Sequence, residues 1–168
     1  MRRRLCNLLW ICLLFLGCRS VVSFPPEPQL SFISLEKIDN GTAIDDKATL
    51  KLYFRDGDGN IGLNSEENAP PFDTGSVYNN NFFVKYYAKR QGEFVPFPEF
   101  AFNARLPRFS SSNNSEALEG EIKYVLSVRN PLVTAPNKDT IMFECWLVDR
   151  DLNESNHVFT SEIVVTNR

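Results

Sequence analysis

The 168-residue chain carries 18 Lys+Arg against 21 Asp+Glu, a net charge of −3, with 43% hydrophobic residues and 10 prolines. An acidic balance of this kind argues against nucleic acid as a partner. The length is that of one domain with a single core.

Arg2, Arg3 and Arg4 form a positive start, followed by an apolar run from Leu5 to Leu16 that only Asn7 interrupts. The run is shorter than the ~18 apolar residues a membrane span needs, so it reads as a targeting segment. It stops at Phe15-Leu16-Gly17-Cys18, which resembles a bacterial lipoprotein signal, although Phe15 stands where that family usually has leucine. The resemblance implies a signal peptide over 1–17, cleavage before Cys18, and lipid (palmitate among the acyl chains) on Cys18. The competing reading is an ordinary secretory signal or an uncleaved anchor. Without the leader, 15 Lys+Arg face 21 Asp+Glu, a net charge of −6. Cys145 is then the one cysteine left free, so neither an intrachain disulfide nor a cysteine zinc site is available.

Residues 18–28 contain Pro25, Pro26 and Pro28 and read as an extended tether. From Gln29 the apolar period is two, the strand signature. Strands are expected over 30–38, 48–55, 82–90, 93–97, 118–128, 140–148 and 157–166. In the second, Leu50, Leu52 and Phe54 share one face; in the sixth, Ile141, Phe143, Cys145 and Leu147 do. The sixth is the most apolar and is expected at the centre of a sheet. Asn64 to Asn81 and Pro98 to Ala117 read as irregular, and no amphipathic helix longer than a turn is visible. About seven short strands with polar turns predict an all-β domain over 29–168, an antiparallel immunoglobulin-like β-sandwich.

The run Thr140-Ile-Met-Phe-Glu-Cys-Trp-Leu-Val-Asp-Arg-Asp-Leu-Asn-Glu-Ser-Asn156 resembles the penultimate strand and turn of bacterial immunoglobulin-like and fibronectin-like modules, with Leu152 in the place of a glycine. Together with the leader and Phe54-Arg-Asp-Gly-Asp-Gly-Asn-Ile-Gly62, the chain resembles the small uncharacterised lipoproteins of the Bacteroidota. That resemblance supplies no activity. It implies a lipid-anchored cell-envelope protein; with no acid directly after Cys18, the outer membrane facing the periplasm is favoured over the cell surface.

Two turns carry the candidate chemistry. Asp56, Asp58 and Asn60 recur in spacing as Asp149, Asp151 and Asn153, and an immunoglobulin-like sandwich would bring both turns to one pole. Six such side chains with their carbonyls could hold calcium, which takes six to eight oxygens. Asp and Asn also cap tight turns with no ion present, so plain turns remain open beside the calcium site. Ile61 stands where an EF-hand loop requires glycine, which rejects that motif. A second candidate is an aromatic platform of Phe97, Phe100, Phe102 and Phe109 for a glycan or envelope protein; the alternative is that these rings cap the core. His157 reads as a solvated residue, and no nucleophile motif accompanies it. The expected function is a non-enzymatic binding or scaffold module. The alternative is a calcium-dependent carbohydrate-binding lipoprotein of a glycan-uptake system.

Overall fold

The computed structural model describes residues 24–109, 116–129 and 137–167. The predicted signal peptide and Cys18 lie outside the described residues. Eight strands are present among the described residues: β1 (Gln29–Lys37), β2 (Lys47–Asp56), β3 (Phe82–Arg90), β4 (Glu93–Ala101), β5 (Leu118–Ser127), β6 (Asn137–Leu147), β7 (Val158–Phe159) and β8 (Ile163–Asn167). They form two antiparallel sheets. One has the order β1-β2-β5; the other runs β4-β3-β6, with β7 and β8 both paired to β6. Among the described residues no helix is long and apolar enough to cross a membrane.

The two central strands explain the core. β2 buries Ala48, Leu50, Leu52 and Phe54, while Thr49, Lys51 and Tyr53 stay partly exposed. On β6, Ile141, Phe143, Cys145 and Leu147 have no exposed surface. Side chains of both sheets join one cluster, to which each fully buried Leu or Phe contributes ~1.5–3 kcal/mol. Alternation does not stop at the last apolar residue. Asp56 follows Phe54 on the inward face of β2, and Asp149 follows Leu147 on that of β6; they are 0% and 2% exposed. The inward alternation of β2, and its continuation two residues past the end of β6, bring two carboxylates into one end of the interior.

Three boundaries differ from the sequence expectation. β6 begins at Asn137, ahead of the expected 140, because residues 137–139 pair with β8. β4 continues past Pro98 to Ala101: Pro98 falls in the irregular stretch between the Tyr87–Pro96 and Lys85–Ala101 pairs of an edge strand, where a residue without an amide hydrogen breaks no ladder. The expected last strand is split at Thr160, whose amide and hydroxyl bond to Phe143 across the break (2.9 and 3.0 Å). The long segment after β2 is held by Arg105, which donates to the carbonyls of Asn64, Glu67 and Asn79 at 2.8–2.9 Å. A single 3-10 turn, Val77–Asn79, closes it before β3.

The predicted tether is docked at its far end. The amide of Gly57 donates to the carbonyl of Pro25 (2.9 Å), and Arg55 lies over the Phe24 ring (5.3 Å). A Cβ on Gly57 would stand 2.2 Å from the carbonyl oxygen of Phe24, so glycine is needed for this approach.

Candidate functional site

The turn after β2 and the turn after β6 meet. The Asn60 side-chain amide donates to Asp58 (3.0 Å) and to Asp151 (2.9 Å), bridging the two loops. Around this bridge the six predicted ligands do not form one closed cage. Among the described residues, no three His, Cys, Asp or Glu side chains are arranged to hold a metal ion. The reason lies in the second loop. Asp149 Oδ1 accepts the amides of Asp151 (2.9 Å) and Asn153 (2.7 Å), and its Oδ2 accepts the Asn153 side chain (2.8 Å). Asp149 and Asn153 therefore build an Asx turn. Leu152 sits in it at φ 66°, the left-handed conformation that the glycine of the related pattern would take without strain.

The first loop differs. Asp56 Oδ2 accepts the amide of Ile61 (3.0 Å), but Asp56 Oδ1 is enclosed and has no partner. The same is true of Asn60 Oδ1, on a residue 7% exposed. Burial, and then the neighbouring Asp58 carboxylate, push Asp56 up to about 7, with a further contribution from Asp149. Burial raises Asp149 as well. Ile61, the residue that ruled out the EF-hand, is 1% exposed and belongs to the core cluster.

The aromatic candidates are placed mainly on the core. Phe97, Phe100 and Phe102 surround the buried Tyr86 at 6.0, 5.6 and 6.4 Å between ring centroids. Their rings turn in over β3 around Tyr86, and Phe100 at the same time lines an open groove on this sheet. Phe109 rests on Phe54 at 5.0 Å and remains 41% exposed.

Sequence reading missed the feature on the outer face of the second sheet. Phe83 on β3 and Trp146 on β6 are register partners and stack at 5.2 Å; His157 stacks on Trp146 at 4.5 Å. His157 is not simply solvated. Its Nδ1 and Nε2 each lie 2.7 Å from a carboxylate, Glu144 and Glu154 respectively. Burial works to lower its pKa, but the two carboxylates outweigh this and raise it. Glu144 also accepts the Tyr87 hydroxyl (2.6 Å) and pairs with Lys85 (3.6 Å). Burial would raise Glu144; these partners hold it below the usual carboxylate range. Only the Glu154–His157 spacing was readable in advance, since Glu144 meets His157 across strands.

Phe83 and Trp146 of this stack form one wall of an open groove of about 380 Å³. Val77 and Tyr78 of the long loop, Val84 of β3, Pro98, Phe100 and Ala101 of β4, and Val148 complete its apolar lining, with Lys85, Asn103 and Glu154 as polar groups. Both faces of Trp146 are covered, by Phe83 and His157, so the indole offers the groove an edge. Val148 and Glu154 pair across the base of the Asp149 turn, so the groove and the acidic turn share one loop. Such a cleft can take up an apolar or mixed ligand surface. No protein-family model, no curated protein and no solved structure matches this chain.

Proposed function

We propose that the chain is a lipid-anchored binding module of the cell envelope, with an immunoglobulin-like fold, that acts by binding an envelope partner and not by catalysis. The observation that carries this reading is the groove beside the Asp149 turn: it is apolar, bordered by a few fixed polar groups, and built on paired strands. The strand order β1-β2-β5 facing β4-β3-β6 with β7 and β8 supports the finer fold reading, since it corresponds to A-B-E against C′-C-F-G in immunoglobulin-like sandwiches. An anchor at Cys18, expected in the outer membrane facing the periplasm, would be joined to Phe24 by six residue steps. That spans at most about 20 Å, which would hold the acidic pole close to the bilayer.

The anchor reading predicts that labelled fatty acid enters the protein through Cys18, and that Cys18→Ala moves it to the soluble fraction. Retention of the variant in membranes would contradict it. A second reading, calcium-dependent glycan binding, is favoured by one observation, the shared loop of groove and acidic turn. Glycan-array binding that chelator abolishes would promote it, and an array without signal would retire it.

A further inference from the structure

Three features at the acidic pole belong together. Four carboxylates, Asp56, Asp58, Asp149 and Asp151, gather where the two central strands end, and none of them forms a salt bridge among the described residues. Asp56 Oδ1 is enclosed with no donor facing it. Asn60, which carries no charge, is itself 93% buried, donates both its bridging hydrogen bonds into the cluster, and leaves its Oδ1 unpartnered. Buried oxygens are ordinarily paired, and a buried carboxylate with no cation is strongly disfavoured. Two orphaned oxygens on one five-residue loop call for a common partner that accepts lone pairs.

We propose that this pole is a calcium site, in which Asp56 Oδ1 and Asn60 Oδ1 bind the ion, with Asp58 adding charge and water or main-chain carbonyls filling the remaining positions. It is a smaller set than the six residues expected from the paired turns, because Asp149 spends its oxygens within its own turn. Oxygen-only ligation selects a hard cation, and a set needing several non-carboxylate ligands suits calcium's flexible coordination better than magnesium's strict octahedron. With so few carboxylates the affinity belongs to the weak class of extracellular modules, ~10⁻⁴–10⁻³ M. Occupation also tightens the bridge between the loops, since Asn60 reaches Asp151 from the same turn that binds the ion. The site needs neither the lipid anchor nor a ligand in the groove, so its failure would leave the proposed function standing.

The rival partner for the orphaned oxygen is a proton shared between Asp56 and Asp58. The test is the melting temperature of the full chain in detergent at pH 7.5, in 5 mM calcium chloride, 5 mM magnesium chloride or chelator, for the wild type and Asp56→Asn. The proposal expects calcium to raise the wild-type midpoint by about 3 °C or more, magnesium to do less, and Asp56→Asn to lose the response. An equal response to both cations, or a wild type indifferent to calcium, overturns it. A variant more stable than the wild type in every buffer, with no calcium response in either, assigns the site to the shared proton. Should Asp56→Asn not fold, equilibrium dialysis of the wild type decides: one calcium per chain supports the site, and none overturns it.

Discussion

His157 offers a pH test whose sign and size follow from the geometry. Both ring nitrogens lie 2.7 Å from carboxylate oxygens, so the imidazolium gains two charge-assisted hydrogen bonds. The two do not weigh equally. Glu144 is 12% exposed and fixed by Tyr87, whereas Glu154 is 56% exposed and screened by solvent. With the His157 side chain itself 36% exposed, most of the nominal strength is lost to water, leaving about 1 kcal/mol. The folded pKa of His157 lies above its ordinary 6.5, so this stability is fully present below about pH 6.5 and disappears as pH rises through the folded value. Glu144, lowered when folded, contributes in the opposite sense: its share is present above about 4.5 and lost as pH falls through the folded value. Urea denaturation at pH 6 and pH 9, comparing wild type with His157→Gln, isolates the histidine part. The wild type should lose about 1 kcal/mol more than the variant over that range. Trp146, the single tryptophan among the described residues, stacks on the ring and should brighten as the imidazolium loses its proton. Identical pH profiles for wild type and variant would refute the reasoning.

Other outcomes follow from single contacts. Arg105→Ala should cost about 2–3 kcal/mol and remove hydrogen-exchange protection from residues 64–81, because one guanidinium holds three carbonyls of that loop. Gly57→Ala should cost about 1–3 kcal/mol and expose the segment around Phe24 to protease, since the new Cβ meets the Phe24 and Pro25 carbonyl oxygens at 2.2 and 2.4 Å. Cys145 is 0% exposed, and burial pushes its thiol up to about 12. A thiol reagent should label it only after denaturant unfolds the domain, and rapid labelling of native protein would contradict this placement.

The parts of the fold that were legible in the sequence share one cause, the period-two burial of β2 and β6. Carrying that alternation two residues further would also have buried Asp56 and Asp149. The turns meeting at one pole followed from the sandwich arrangement, but which oxygens stay free did not. Hydrogen bonds inside an Asx turn consume Asp149, while Asp56 in a similar motif keeps one oxygen unpaired. Pro98 looked like a break because a proline within a strand is ordinarily one; its place in an irregular, unpaired stretch of an edge strand makes it harmless. The roles of Arg105 and His157 had weaker signals still. Arg105 binds main-chain carbonyls, which carry no residue identity, and the decisive partner of His157 is 13 residues away on a neighbouring strand. The groove has the same origin: its wall exists because β3 and β6 pair in one register, setting Phe83 against Trp146.

The most direct test of the binding role compares a photoreactive side chain at Val77, 64% exposed on the groove rim, with one at Ile33, 43% exposed on β1 of the other sheet. In intact envelopes of the producing cell, the account predicts a discrete crosslinked species from position 77 that position 33 does not give. Equal yields from both positions, or no adduct from position 77, would contradict a binding face on the groove.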